Sequence, residues 1–578
     1  MIKQDIENIK RTPPRTTVRV RLADDLMLEG SIGSTIEAFL TAAEQQQWQR
    51  YDSPFMAGIV DGRLRELTYP LQRDSDLQPV LLSSSDGARI YRRSLVMLLA
   101  TSVAELWPGT RVKVSYAVPD GGYFCQLRNR KPFTKDELRV LQNYMQKIVT
   151  ANEPITRRTV PLEEAISHFA HMGEHDKVHL LEQRNREDLT LYTLHERDDY
   201  YFGYMVPATG YLKHFHLISA NAGFILQFPR RDNPTTLGRI TAYEQLTRIF
   251  HEADDWLKKT GIEDIGQLNH INRNNRVHEL ILVAEALHEQ RIADIAHSIG
   301  EQHHATDTRI VLIAGPSSSG KTTFSKRLAI QLLAYGLRPF TLELDNYFVD
   351  RDQTPRDKHG NYDFETLQAL NLPLFNEHLI RLIAGEEVTL PRFDFISGTS
   401  QPGKTVRIDR DQIIIIEGIH GLNPDLVPNI PAELIYRVYV SALTQLNIDS
   451  HNRIPTTDVR LLRRIVRDAR HRGWTATDTL TRWESVQRGE RSYIFPYQEN
   501  ADSMFNSALV YELAALRRLA EPLLLQVKYG TQPHIEANRL LSFLNWVYPL
   551  TPEQEAYIPD TSILREFIGG SNLRNYHP

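Results

Sequence analysis

At 578 residues the chain is too long for a single core, and 41% apolar with 24% charged residues describes ordinary soluble globular domains, three or four of them. A formal charge of -5 gives no global case for a protein that coats nucleic acid, and the single cysteine, Cys125, excludes an intrachain disulfide framework or a Cys-rich zinc site. Met1 to Arg15 is polar without an apolar signal core, and no run nears the ~18 apolar residues of a membrane span, so the expected compartment is a reducing cytoplasm with no membrane partner.

Thr17 to Leu22 alternates like a strand, and Asp24 and Asp25 suggest a hairpin turn. Ile36 to Gln47 reads as a short amphipathic helix and Phe55 to Leu67 as two strand pieces, giving a small mixed module that ends near Leu82. Ser83 to Gly87 is a linker or helix entry, followed by a helix from about Ala88 to Leu106 that stops at Pro108-Gly109. Strands are expected at Val112 to Val118, Tyr123 to Leu127, Leu189 to Leu194 and His214 to Phe228, with a helix at Thr134 to Ala151. Arg230 to Pro234 is a polar joint, and helices fill Leu237 to Gly300. From Arg309 to about Leu525, strands alternate with helices, the pattern of a parallel sheet covered by helices. The histidines His303-His304, His214 and His216 lack cysteine or carboxylate companions at metal-ligand spacing.

The most specific stretch is Gly315-Pro316-Ser317-Ser318-Ser319-Gly320-Lys321-Thr322-Thr323, which fits G-x-x-x-x-G-K-[ST]. It follows the apolar run Ile310 to Ala314 and precedes Phe324, Leu328, Leu332 and Tyr335 at helical spacing, with Gly336 as the stop. Glycines permit close backbone approach, and a helix N-terminus offers partial positive charge to phosphates. In such a loop Lys321 reaches the β/γ-phosphates of ATP and the Thr322 hydroxyl holds Mg²⁺.

Three further elements suit phosphoryl transfer. Thr341 to Asp345 reads as a strand ending in an acid, and ligands gather at the carboxyl ends of parallel strands. Asp345 there is either a catalytic base or a turn cap. Gln412 to Glu417 reads as a central strand with an acid at its end, Glu417 being a second metal ligand or an acceptor of turn N–H groups. Arg460, Arg463, Arg464 and Arg467 share one helix face with few carboxylates nearby, mainly Asp458 and Asp468. That face is either solvated or a lid over transferring phosphates. Trp483 and Tyr493 stand near it as stacking or core aromatics.

The phosphate loop, Leu344-Asp345-Asn346-Tyr347, Asn361-Tyr362-Asp363-Phe364, Pro391-Arg392-Phe393-Asp394-Phe395, Glu417-Gly418-Ile419 and Arg463 to Asp468 together resemble the uridine kinase and phosphoribulokinase family over roughly Arg309 to Leu513. The resemblance implies transfer of the ATP γ-phosphoryl group to a nucleoside 5′-hydroxyl. It implies Asp345 as base, Asp363 and Arg464 as ribose contacts, Arg467 and Arg472 as lid arginines, and Tyr347 and Phe393 on the substrate side. The base-reading positions depart from the family: Phe393 and Gly398 stand for Tyr and His, and Trp474 and Arg482 for Arg and Gln. The preferred base is thereby open, and so is another small alcohol such as a sugar phosphate. Ser562 to Gly570 is similar to a segment of fused proteins of this group, with no role legible in its residues.

Residues from about Thr16 to Leu82 resemble the TGS module of threonyl-tRNA synthetases. Leu106 to Gly109, Asp120 to Phe124, Lys131 to Thr134 and Val206 to Gly210 resemble, in that order, its second additional or editing domain. Arg93, Met97, Tyr201 and Met205 occupy the four positions where that domain carries histidines and a cysteine, so deacylation by this domain is not expected. The open roles are RNA binding, with ATP as a switch in a regulator, nucleotide sensing, or self-association and support of the kinase. The expected organisation is α/β throughout: a TGS-like α+β module at 1–82, an editing-like α+β domain at 83–233, a helical connector at 234–306, and a P-loop kinase domain with a C-terminal extension at 307–578.

Overall fold

The computed structural model describes residues 14–576 apart from 185, 242, 357–359, 361, 395–396, 410 and 445; Asn361 and Phe395 of the motifs above, and Met1 to Pro13 of the polar start, therefore lie outside the described residues.

The first module is a five-stranded sheet of β1 (Thr17–Arg21), β2 (Met27–Ser31), β3 (Phe55–Val60), β4 (Arg63–Arg65) and β5 (Ser75–Leu81) in the order β2-β1-β5-β3-β4. Alternation puts Val18 and Val20 inward against the helix Ile36–Gln45, which Thr35 caps by accepting the Ala38 N–H.

The second domain is built on the helix Ser85–Leu106, nearly every residue of which from Ser94 to Val103 is buried. It packs on an antiparallel sheet of β6 (Arg111–Val118), β7 (Gly122–Arg128), β11 (His216–Ala220) and β12 (Gly223–Gln227), ordered β11-β12-β7-β6. A second sheet, β10-β9-β8, comprises β8 (Thr156–Pro161), β9 (Asp188–Leu194) and β10 (Arg197–Asp199). Met97, Tyr201 and Met205 are buried in one hydrophobic core, so three of the positions aligned with editing residues serve packing.

The kinase sheet is wholly parallel, β14-β17-β13-β18-β19, from β13 (Ile310–Ala314), β14 (Arg338–Glu343), β17 (Gln412–Glu417), β18 (Ile435–Ser441) and β19 (Ser503–Asn506). β13 is fully buried, as a strand covered by helices on both faces must be. A separate antiparallel hairpin, β15 (Val388–Asp394) and β16 (Thr399–Val406), projects beside it.

The helical segment expected as a connector packs against the domains on both sides. Its helices Ile265–Arg273 and Val277–Thr306 bury Leu268, Ile281, Ile292 and Ile299 in one continuous core with Val311 and Phe324 of the kinase and with Leu180 and Leu191 of the second domain. The two halves are further joined by a buried charge network. Lys177 Nζ binds Asp199, Glu174 at 2.8 Å and His451 Nδ1 at 3.1 Å. Glu174, Asp199 and His451 converge like metal ligands, but the Lys177 ammonium already supplies the cation there, its own pKa raised by Asp199 and Glu174 against burial. Among the described residues no helix is long and apolar enough to cross a membrane.

Candidate active site

The strand β13 ends where the chain must turn tightly. A Cβ at Gly315 would stand 1.9 Å from the Val440 carbonyl oxygen, and Gly320 sits at φ +87°, so both positions require glycine. Ser318 also takes a positive φ, 59°, and the buried hydroxyls of Ser318 and Ser319 have no hydrogen-bond partner. A glycine-hinged turn with orphaned hydroxyls, opening the helix Lys321–Tyr335, fits a polyphosphate. Lys321 Nζ lies across the loop, donating to the Gly315 carbonyl at 2.9 Å and to that of Pro316 at 3.4 Å.

Two carboxylates lie near this loop, one at the end of β17 and one on the turn after β14. Thr322 Oγ1 donates to Glu417 Oε1 at 3.0 Å. Burial pushes Glu417 up to about 7, with Glu566 and Asp345 adding repulsion, while Lys321 and the Thr322 bond pull it down. A carboxylate so destabilised as an anion, beside a hydroxyl, fits a divalent cation held by Thr322 and Glu417. Asp345 is not the last residue of a strand: β14 ends at Glu343, and Asp345 lies on the 3₁₀ turn Leu344–Tyr347. Desolvation raises its carboxyl above the usual range, Lys321 opposing, Glu343 adding and Arg472 opposing. Lys321 therefore acts on both carboxylates.

The arginine helix, Thr456–His471, differs from the expected solvated face or lid. Arg460 and Arg463 are fully buried. Arg460 pairs with Glu490 at 2.8 Å and donates to the Ser317 carbonyl at 3.1 Å, while Glu490 Oε1 accepts the Ser317 N–H at 2.9 Å. Arg463 pairs with Glu512 at 2.6 Å and donates to the Ser507 carbonyl at 2.7 Å and the Ser318 carbonyl at 3.4 Å. These two brace the loop from behind. Arg464, expected at the ribose, instead donates to Ser317 Oγ at 2.7 Å and pairs with Asp468. Arg467 also holds Asp468, at 3.0 Å, and Arg472, about half exposed, reaches toward both Asp468 and Asp345. Only these last two stand at the rim.

On the acceptor side, Asp363 accepts the Tyr493 hydroxyl at 3.1 Å and the Glu365 N–H at 3.1 Å. Glu365, which the sequence did not single out, is pushed up by burial and by Glu490, with Arg464 and Lys321 opposing. Tyr347 is corrected from a substrate contact to a core residue: it is 1% exposed, hydrogen-bonded to His378 Nδ1 at 3.1 Å and edge-on to Phe375. Phe393 is also buried, its ring 5.7 Å from that of Phe348, so it can serve only as wall. Trp483 lies in the core under Arg460.

The C-terminal segment Ser562 to Gly570 packs against the phosphate loop. Ile563, Leu564, Phe567 and Ile568 are buried, and Ile563 Cγ2 sits 2.5 Å from where a Gly320 Cβ would be. Glu566 Oε2 accepts the Thr323 N–H at 3.2 Å and its hydroxyl at 2.9 Å, placing a carboxylate at the first turn of the phosphate-loop helix. Nothing near Glu566 in sequence signals this role.

This architecture is a parallel sheet with a glycine-rich phosphate-type loop between β13 and the helix Lys321–Tyr335. Residues 310–513 match the model of the Phosphoribulokinase / Uridine kinase family. The N-terminal part is similar to threonine–tRNA ligases. That of Polaromonas sp. (strain JS666) is 32% identical over 170 residues, 29% of this chain and 27% of that protein. That of Burkholderia lata is 32% identical over 217 residues, 37% of this chain and 31% of that protein. The chain thus spans about a quarter to a third of the length of these relatives. Among solved structures, a putative fructose transport system kinase from Silicibacter sp. TM1040 is 18% identical, covering 37% of this chain and 98% of its own, with a TM-score of 0.26. A possible uridine kinase from Bacillus stearothermophilus is 22% identical, covering 34% and 88%, with a TM-score of 0.21.

Proposed function

We propose that the chain is an ATP-dependent kinase that transfers the γ-phosphoryl group to the hydroxyl of a small alcohol, a nucleoside 5′-hydroxyl being the best-supported acceptor. The observation that carries this reading is the convergence of Lys321, the Thr322–Glu417 pair and Asp345 at the carboxyl edge of one parallel sheet. The loop residues Gly315 to Thr323 bind the triphosphate through backbone N–H groups, and Lys321 swings from its carbonyl contacts to the β/γ-phosphates. Mg²⁺ bound by Thr322 and Glu417 would neutralise charge on the transferring group. Asp345 orients the acceptor hydroxyl and takes its proton as the oxygen bonds to the γ-phosphorus and the bond to the β-phosphate oxygen breaks, leaving ADP. Arg467 and Arg472 at the rim balance the charge that accumulates.

The charge distribution favours a neutral, hydroxyl-rich acceptor over a sugar phosphate. Asp345, Asp363 and Glu365 are three acids on the acceptor side, whereas Arg464 is turned to the loop and Arg467 to Asp468, leaving Arg472 as the arginine that faces Asp345. An already phosphorylated acceptor would meet three carboxylates. Incubation with Mg-ATP and a panel of nucleosides and sugar phosphates tests this: phosphorylated nucleoside with matching ADP supports it. Phosphorylation of sugar phosphates alone would overturn the acceptor, and tight salt-sensitive RNA binding with no phosphorylated product would overturn the enzyme.

A further inference from the structure

Between the second domain and the kinase lies a cavity of about 1540 Å³ that, among the described residues, is lined by none of Lys321, Thr322, Asp345 or Glu417. It reaches the phosphate loop only at Pro316 and the Arg460–Glu490 pair. Its walls carry an excess of guanidinium groups. Arg89 and Arg539 share Glu536, and Arg539 also holds both oxygens of Asp458 at 2.6 and 2.9 Å. Arg92, Arg93 and Arg453 have no carboxylate within ion-pair reach among the described residues. Arg93 donates to the Tyr204 carbonyl, and Arg92 lies over the Phe228 ring at 4.9 Å. The Nε atoms of Arg92 and Arg453 are both buried without a hydrogen-bond partner. All three arginines are held below their ordinary pKa, first by desolvation; at Arg453, Tyr123 and Asp458 oppose that fall and Arg92 adds repulsion.

These side chains are partly buried, and guanidinium groups that reach one cavity without a carboxylate partner are suited to holding an anion there. Bidentate forks suit phosphate oxygens. Tyr123, edge-on to Phe228 at 4.8 Å, adds an aromatic wall beside both Arg92 and Arg453. We propose that this cavity is a second ligand site, distinct from the phosphate loop, that binds a nucleoside monophosphate with its phosphate between Arg92 and Arg453 and its base against the aromatic wall. Of the other arginines on the cavity wall, Arg157, Arg230 and Arg231 are paired with Glu66, Asp232 and Glu484, and a nucleic acid strand is the rival occupant that the RNA arm of the test decides. The inference does not rest on the kinase reading.

Calorimetric titration of the full chain with nucleoside 5′-monophosphates, the matching nucleosides, inorganic phosphate and a short single-stranded RNA tests it. Saturable binding of a monophosphate is expected, retained in Lys321→Ala and weakened roughly tenfold or more by each of Arg92→Gln and Arg453→Gln. The glutamine proteins should unfold at or above the wild-type temperature without ligand, since each loses an uncompensated charge. Should either unfold the chain, Arg92→Lys and Arg453→Lys keep the charge but lose the fork, and weakened binding is expected there too. Binding lost in Lys321→Ala but unchanged in the arginine variants, binding of RNA without monophosphates, or no saturable binding by any probe would each overturn the proposal.

Discussion

Glu566 and Thr323 are bound to each other across the start of the phosphate-loop helix, the carboxylate accepting both the backbone N–H at 3.2 Å and the hydroxyl at 2.9 Å. That N–H belongs to the set a helix N-terminus offers to phosphate. A tail carboxylate and an incoming polyphosphate therefore compete for one donor and repel each other.

Replacing Glu566 by Gln keeps the shape of the tail and removes the charge. Mg-ATP affinity is expected to rise about three- to tenfold, the scale of one charge near a helix terminus. Calorimetry on both proteins checks this; unchanged or weaker binding would assign Glu566 a purely structural part.

Glu417 makes nucleotide binding pH-dependent. Its carboxyl, raised to about 7, must ionise to hold a metal, so Mg²⁺-dependent ATP affinity should climb between pH 6 and 8. Glu417→Gln should flatten that climb. Stability runs the other way: a carboxyl raised above its unfolded value contributes stability fully below about 4.5, and loses it as pH rises through about 7. The metal-free unfolding temperature should fall over that window, less so in the Gln protein.

The Arg463–Glu512 pair is fully buried behind the loop. Glu512→Ala strands a guanidinium in the core, at a cost of about 3–5 kcal/mol, and should lower the denaturation midpoint sharply. Arg472→Ala, at the half-exposed rim, should leave the midpoint unchanged and reduce turnover by roughly ten- to a hundredfold.

Local patterns made much of this fold readable. The apolar run Ile310 to Ala314, the glycine-rich turn and the Gly336 stop are local signals, and the strand, loop and helix follow them. The arginine face misled because its partners are distant: Glu490 is 30 positions from Arg460 and Glu512 is 49 from Arg463. Tyr347 carries a motif position, but the 3₁₀ turn that carries Asp345 turns the tyrosine into the core two residues later. Glu566 lies 243 positions from Thr323, and the 234–306 helices read as a connector because periodicity tells that a face is apolar, not what covers it.

The most direct test is to compare Asp345→Asn with the wild-type chain in Mg-ATP binding and in nucleoside phosphorylation. The account predicts ATP affinity within about twofold and turnover lower by at least about a hundredfold, the scale of a lost general base. Turnover equal to wild type in the Asn protein would contradict it.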